Sequence, residues 1–248
     1  MIVKNDKDLN YLKESGRICK LALQTGISAI KPGLTTMEIN DIVHKVIVDE
    51  GGKPAFLGYN AGEGPYPYAT CVCINYQLVH AIPRTDAIIK KGDLVTIDVG
   101  VDFRGLITDS SNTIEVETNN EQFFLNTGRR ALKAAVKQAK AYNKIGDISY
   151  EMQKEVEGAG FNVSLDLVGH GVGHKLHEEP QIPCYGHKGR GLQLINGMVL
   201  AIEIMYMKGS PKLVLGEDDF SFDTKDKSLS AQIEHTIVVT DKDPIILV

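Results

Sequence analysis

Four carboxylate residues lie inside apolar runs of sequence that otherwise read as fully buried strands. Asp98 lies in LVTIDVGV, Glu203 in MVLAIEIM and Glu234 in AQIEHTIVV, and Asp109 follows Asp98 by eleven residues in LITDSS. A buried carboxylate costs several kcal/mol unless it is paired or bound to a cation. Four converging negative charges cannot all ionise without matching positive charge, and two divalent ions would supply it. These acids therefore predict a metal site.

Each acid considered alone has a second interpretation. Asp98 or Glu203 could be a salt-bridged core residue, and Asp109 could close or cap a turn. The spacing of Asp98 and Asp109 also fits two adjacent antiparallel strands joined by a turn at DFRG, residues 102–105. The shared-cation interpretation is favoured because Asp98 and Glu203 occupy equivalent places in two similar halves of the chain.

Three histidines, His170, His174 and His177, fall within the stretch LVGHGVGHKLHEEP. His170 and His174 have the i, i+4 spacing of a zinc-binding helix, but three alternating glycines make a helix costly, at about 1 kcal/mol each. The stretch also lacks the glutamate that follows the first histidine of an H-E-x-x-H motif. We therefore predict an extended segment in which His170 and His177 need not share a face. His170 is open between a metal ligand and a hydrogen-bonded structural histidine, and His174 is expected beside the site or exposed.

The other histidines of interest are predicted to lie away from the site. His44, on a predicted helix, and His187, in the loop YGHKGRG, are expected at the surface. His235 follows Glu234 directly on a predicted strand, so its side chain should point to the opposite face.

The order of predicted elements repeats along the chain. Residues 8–30 and 33–52 read as amphipathic helices, the second opening with a Thr-x-x-Glu capping box, and β-branched runs follow over 70–117. A second pair of helices is predicted at about 121–142 and 145–160, after which strand-like runs return. Each half thus reads as two helices followed by a sheet.

Local matches between the halves support a duplication. KKGDLVTIDVG matches LINGMVLAIEIM at an offset of 105 residues and sets Asp98 against Glu203. LVHAIP matches KLHEEP at an offset of 97 and sets His80 against His177. Such internal similarity predicts an α+β fold of two pseudo-twofold-related halves, with a site between them that draws residues from both.

Bulk composition excludes several classes of function. The 248 residues carry a net charge of −5 and no long run of Lys or Arg, which argues against nucleic acid or an anionic membrane as a partner. No window approaches ~18 consecutive apolar residues, and the start MIVKNDKDLN lacks the pattern of a signal peptide. We expect a cytoplasmic protein, in which the four cysteines are reduced thiols.

Together these residues resemble the metal-binding pattern of methionine aminopeptidases, within the broader creatinase/aminopeptidase family. The resemblance covers essentially the whole chain through IDVG, TDSS, GHGVGHKLHEEP, AIEIM and SLSAQIEHTIVV. It implies a pita-bread fold, with two helices packed on a curved, mainly antiparallel sheet in each half, and one catalytic domain over 1–248. Only 25 residues separate His177 from Glu203, which resembles type I enzymes and not type II enzymes with their helical insertion.

The resemblance implies a dinuclear metal centre. Asp98 would bind one ion, His170 and Glu203 the other, and Asp109 and Glu234 would bridge the two. The ions would be Mn, Fe or Co, with Zn possible, because a carboxylate-rich set with one histidine suits each of them. A water or hydroxide held between the ions would be the nucleophile.

Catalytic and specificity residues are also implied. Glu203 would shuttle the proton, and His80 and His177 would contact the scissile amide and stabilise the tetrahedral intermediate. Backbone oxygens near Asn75 and Ser230 would hold a monovalent cation, Na or K. The methionine pocket would be lined by Tyr59, Tyr66, Cys71 and Phe220.

The implied function is removal of the initiator methionine from nascent polypeptides with a small second residue, by a monomer working near the ribosome. Two alternatives remain: an Xaa-Pro aminopeptidase or dipeptidase of the same fold, and a catalytically inactive relative that binds peptides or proteins. The chain departs from the family pattern at Ile204, where proline is usual, and at NAGEGPYPY, which is longer than the usual loop over the pocket.

Overall fold

The computed structural model describes residues 1–62 and 64–248 and alternates pairs of helices with groups of strands. The helices are α1 (Asp6–Ala29), α2 (Thr36–Asp49), α3 (Gln122–Gln138) and α4 (Ile145–Gly158). The strands are β1 (Lys53–Pro54), β2 (Cys71–Ile74), β3 (Gln77–Val79), β4 (Leu94–Phe103), β5 (Leu106–Glu115), β6 (Asn162–Val163), β7 (Val168–Gly171), β8 (Glu178–Pro183), β9 (Val199–Met207), β10 (Leu213–Leu215), β11 (Phe222–Thr224), β12 (Ser230–Val238) and β13 (Ile245–Ile246).

Two larger sheets, one in each half, carry the candidate site. The first has the order β1-β4-β2, with β5 also paired to β4, and the second has the order β13-β12-β9-β7-β8, with β6 also paired to β9. A small sheet of order β10-β11-β3 joins strands from both halves. All pairings between these strands are antiparallel.

The central strands of each half are buried on both faces, which explains their nearly continuous apolar sequence. On β4, Ile97 and its alternate neighbours pack against α1 and α2, while on β9, Ile202 and Ile204 pack in the cluster that includes α3 and α4. Successive residues of a strand point to opposite faces. Asp98 and Glu203 therefore face away from the helices, towards the space between the two halves.

Helix boundaries follow the sequence closely, with one exception. The predicted capping box is confirmed, since the Glu38 amide donates to Thr35 Oγ1 at 3.2 Å and the Thr35 amide donates to Glu38 Oε2 at 2.8 Å. The prediction that the third helix runs to residue 142 was wrong. The amides of Ala141 and Tyr142 donate to carbonyl groups outside the helix, and Tyr142 has a φ of 76°, so the helix ends at Gln138.

Side-chain hydroxyls join the two halves where β5 runs beside β12. The Asp109 amide donates to Thr236 Oγ1 at 2.8 Å, and the same hydroxyl donates to the Asp109 carbonyl at 2.7 Å. Ser110 Oγ donates to the Glu234 carbonyl at 2.8 Å, and Thr113 Oγ1 donates to the carbonyl of residue 232 at 2.8 Å. These bonds satisfy buried backbone groups of both halves and fix the backbone that carries the acids.

All four cysteines are buried and free of disulfide bonds, as predicted. Within the described residues, no helix combines the length and the apolar character that crossing a membrane requires.

We predict that Thr236→Val lowers the free energy of unfolding by about 1–3 kcal/mol, because it leaves the buried Asp109 amide without its partner. Urea titration monitored by circular dichroism would measure the change. Thr240→Val is the matched control, because that hydroxyl bonds within an exposed turn, and it should change stability by less than about 0.5 kcal/mol. Equal stability of the wild type and Thr236→Val would contradict the role given to this hydroxyl.

Candidate metal centre

Asp98 and Asp109 lie on the same face of the hairpin formed by β4 and β5. Asp98 pairs with Ser111, and Asp109 pairs with Gly100, so the two acids are diagonal neighbours across the ladder. Residues two apart on a strand share a face. The predicted turn is confirmed, with Gly105 and its preceding residue at positive φ between the strands.

Glu203 and Glu234 stand directly opposite each other on β9 and β12. Cross-strand partners share a face and have neighbouring side chains, so the second half also contributes two adjacent carboxylates. His235 pairs with Ile202 on the other face, and it lines a separate pocket beside α3. The prediction that His235 points away from Glu234 is therefore confirmed.

His170 reaches the same space from β7, in the extended conformation that the sequence predicts. Its Nδ1 lies 2.9 Å from the Gly171 carbonyl oxygen, which can only accept, so Nδ1 carries the proton and Nε2 keeps a free lone pair. Nε2 lies 3.9 Å from Glu203 Oε1. A hydrogen-bonded histidine and a metal-ligating histidine are thus compatible interpretations of one side chain.

The glycines around His170 allow close packing of backbones. A side chain at Gly169 would place its Cβ 2.7 Å from the carbonyl oxygen of Ala201 on β9, and one at Gly171 would collide with the carbonyl of Glu179. The alternating glycines therefore let β7 lie tightly between its neighbours. They explain why this segment is a strand although its histidines have helical spacing.

The chemistry of the converging side chains fits divalent metal ions. Ligand atoms of Asp109, His170 and Glu234 all lie within 4.8 Å of one another. One oxygen each of Asp98, Asp109 and Glu234 is buried without a hydrogen-bond partner among the described residues. Oxygen and imidazole donors of this kind suit Mn, Fe, Co or Zn. The pocket is lined by Asp98, Asp109, His170, Glu203 and Glu234.

The acids repel one another and resist ionisation in the metal-free protein. Burial raises the pKa of Asp98 to about 7, and burial together with the nearby Asp98 charge raises the pKa of Glu203 to about 8. Burial and the neighbouring carboxylates raise the pKa of Asp109 and Glu234 well above the ordinary range. Cation charge would relieve both effects.

Gln232 is a site residue that the sequence reasoning missed. Its Nε2 donates to Glu203 Oε2 at 2.9 Å and lies 3.3 Å from Asp98 Oδ2, so it connects acids from both halves. It lies two residues before Glu234 on β12, a spacing that places both on one face. That spacing was the available signal.

His80 and His177 line the same pocket as the acids. Burial and the neighbouring His177 lower the pKa of His80 to about 4, and partial burial lowers the pKa of His177, which stays partly exposed to solvent. The rings of His170 and His177 meet edge to face at 4.4 Å between centroids. His174 is exposed and does not line this pocket. His187 is also exposed, and His44 is half-buried.

The four residues expected in a methionine pocket lie together beside the acids. The rings of Tyr66 and Phe220 meet edge to face at 5.5 Å, and Cys71 packs in the same apolar cluster as Tyr66. Tyr59 lines the same pocket. The lining therefore combines aromatic faces with a buried thiol.

Asn75 and Ser230, predicted beside a monovalent cation, are in contact. The Asn75 carbonyl accepts from the Ser230 amide at 2.8 Å and from its hydroxyl at 3.0 Å. Binding of Na or K at this place stays a prediction.

Comparison with known proteins identifies the family. The model of metallopeptidase family M24 matches residues 10–241. The chain belongs to metallopeptidase family M24. Methionine aminopeptidase 1 of Bacillus subtilis is 37% identical over 243 residues, which cover 97% of this M24 chain and 96% of the relative. A methionine aminopeptidase of Clostridium acetobutylicum is 33% identical over 249 residues, covering 100% and 98%.

Solved structures confirm the pita-bread fold of this M24 metallopeptidase. A methionine aminopeptidase from Thermotoga maritima superposes with a TM-score of 0.94 at 39% identity, covering 100% of this chain and 99% of that one. A prolidase from Pyrococcus furiosus superposes with a TM-score of 0.79 at 24% identity, covering 99% and 65%, and it shares the fold alone. The α+β architecture predicted from the two sequence halves is thereby confirmed.

We predict that the metal-free protein is destabilised by Glu203 as the pH rises. A carboxyl group whose folded pKa is raised stabilises the fold fully below its unfolded pKa, and that contribution disappears as the pH passes its folded pKa. Unfolding free energies of the wild type and Glu203→Gln in EDTA should therefore converge towards pH 4 and diverge in favour of the variant up to about pH 8. Urea titrations at five pH values would test this. A pH-independent difference would contradict the assignment.

Proposed function

We propose that this chain is a methionine aminopeptidase, which hydrolyses the initiator methionine from nascent polypeptides whose second residue is small. The observation that carries the proposal is the convergence of four buried carboxylates and His170 beside an aromatic, thiol-containing pocket. The full-length similarity to proteins named methionine aminopeptidases supports it.

The site would hold two divalent ions. Asp98 would bind one ion, His170 and Glu203 the other, and Asp109 and Glu234 both. When bound, such ions would lower the pKa of water, polarise a carbonyl group and attract the free N-terminal amine of a peptide.

The chain's own residues would position the peptide and move protons. Glu203 would accept a proton from water and return it to the leaving amine. His80 and His177, both neutral at pH 7, would donate hydrogen bonds to the scissile amide and to the charge that develops on its oxygen. The two histidines come from equivalent places in the two halves, so they can flank the peptide from both sides.

Selectivity for methionine would come from the pocket beside the acids. Tyr59, Tyr66 and Phe220 offer ring edges and faces, and Cys71 adds a polarisable, apolar atom. An unbranched thioether fits such a lining, because it adapts to irregular apolar space and contacts aromatic rings favourably. A second residue with a large side chain would be rejected by crowding, which is the coarse discrimination that pocket size can supply.

The proposal also covers the domain organisation, the oligomeric state and the location of the protein. Residues 1–248 would form one catalytic domain, active as a monomer in the cytoplasm on chains emerging near the ribosome. A monovalent cation, Na or K, would bind beside Asn75 and Ser230. The Xaa-Pro alternative is less favoured. The prolidases among the similar solved structures share less sequence with this chain, and this chain covers a smaller part of each of them.

We predict that the metal-loaded protein releases methionine from Met-Ala and Met-Gly peptides and leaves Met-Leu peptides largely intact. Chromatographic quantification of free methionine with Mn²⁺, Co²⁺, Fe²⁺ or Zn²⁺ would also identify the preferred ion. Cleavage confined to Xaa-Pro substrates would support the prolidase alternative. No hydrolysis with any of these ions would favour an inactive binding protein.

We predict that Glu203→Gln lowers kcat at least about 100-fold, since it removes the group proposed to transfer protons. His170→Ala should weaken binding of the ion proposed to be held by His170 and Glu203 by a similar factor, as measured by calorimetry. His187→Ala, at an exposed loop position, is the matched histidine control and should change neither quantity. Circular dichroism would establish that both site variants keep the fold. Wild-type turnover by Glu203→Gln would refute the assigned role.

A further inference from the structure

Tyr59, in the loop over the pocket, contacts His177, one of the two site histidines that are not proposed as metal ligands. Tyr59 Oη lies 2.8 Å from His177 Nδ1, and the two rings meet edge to face with centroids 5.0 Å apart. The sequence predicted Tyr59 only as a wall of the side-chain pocket. Its hydroxyl adds a polar contact that a pocket wall does not need.

Backbone hydrogen bonds at the base of the loop fix the position of Tyr59. The Tyr59 amide donates to the Phe56 carbonyl at 2.9 Å, and the Tyr66 amide donates to the Tyr59 carbonyl at 2.7 Å. The Gly58 amide donates to the Tyr66 carbonyl, also at 2.7 Å. These bonds join the two ends of the loop and fix the backbone of Tyr59 over the pocket.

We propose that Tyr59 is a positioning residue for the hydrolysis, because its hydroxyl donates to Nδ1 of His177 and thereby holds that imidazole as the Nε2–H tautomer. A neutral imidazole carries one proton, so a bonded lone pair on Nδ1 places the proton on Nε2. A tyrosine hydroxyl is protonated at neutral pH and able to donate, and partial burial raises the pKa of Tyr59 further. Nε2, the ring nitrogen remote from Tyr59, is then a hydrogen-bond donor.

The ring of His177 is also restrained by a second aromatic contact. It meets the ring of His170 edge to face at 4.4 Å between centroids, so His177 contacts both His170 and Tyr59. Two contacts and one hydrogen bond define both its orientation and its tautomer. The reverse arrangement, with Nδ1–H donating to Tyr59, would leave Nε2 as a bare acceptor that repels a carbonyl oxygen.

Tyr59 would therefore connect recognition with catalysis. Its ring lines the pocket that the proposed function assigns to the methionine side chain, while its hydroxyl orients the histidine that faces the scissile amide. A substrate side chain that packs against Tyr59 would stabilise the arrangement that presents Nε2–H. The catalytic consequence of this inference rests on the proposed function. The hydrogen bond between Tyr59 and His177 is independent of it.

We expect Tyr59→Phe to lower kcat for Met-Ala peptides about tenfold while changing KM less than about threefold, because the ring remains and only the hydrogen bond is lost. In a His177→Ala background, Tyr59→Phe should have no further effect on kcat. Tyr68→Phe, which removes another loop hydroxyl, should leave both constants unchanged. Independent, multiplicative losses in the double variant would overturn the proposal, as would a purely KM effect of Tyr59→Phe.

Nitrogen-15 NMR of histidine-labelled, metal-free protein tests the contact without any turnover. His177 should show a protonated Nε2 and an Nδ1 signal shifted by an accepted hydrogen bond, and Tyr59→Phe should move that Nδ1 signal towards the unbonded value. Tyr66→Phe is the matched control, because its hydroxyl bonds backbone carbonyls instead, and it should leave the His177 signals in place. A protonated Nδ1 in the wild type would refute the proposal even if methionine release is observed. The expected spectra with no peptidase activity would refute only the proposed function.

Discussion

Electrostatic repulsion between four desolvated carboxylates is the constraint on which the rest of this structure depends. Burying each charge costs several kcal/mol, whereas a hydrogen bond to a charged group, such as those from Gln232, contributes about 1.5–3 kcal/mol. Hydrogen bonds alone therefore cannot offset the burial of Asp98, Asp109, Glu203 and Glu234. Either the acids keep protons, as their raised pKa values indicate for the metal-free chain, or cations neutralise them. A fold that builds such a cluster is organised around metal binding.

The duplicated architecture is a direct way to build this cluster. Each half contributes two acids from neighbouring antiparallel strands, and the helices cover the outer faces of those strands. The inner faces are left to meet each other, so the acids become buried only when the halves close. Hydroxyl groups at Thr236 and Ser110 then satisfy backbone groups across the junction. Packing and metal chemistry thus depend on the same contact between the halves.

Much of this arrangement was predictable because strand periodicity and internal similarity act over short, regular distances. The hairpin that carries Asp98 and Asp109, the opposite orientation of His235 and the two-halved fold all follow from such regularity. Gln232 was missed because a glutamine carries no charge to draw attention, although its spacing of two residues from Glu234 places both side chains on one face. The Tyr59 contact with His177 could not be predicted, since 118 residues separate the two and the loop conformation decides their approach. The early end of α3 depends on carbonyl partners supplied by distant segments.

The hydroxyl groups that join β5 to β12 also link the closure of the two halves to the occupancy of the metal centre. The backbone segments that these hydroxyl groups join also carry Asp109 and Glu234. Any separation of β5 from β12 therefore changes the distance between these two acids. Ions that bind only the closed arrangement would therefore favour closure of the junction by mass action. Occupancy of the centre and tightness of the junction would then be thermodynamically linked, and each could be read from the other.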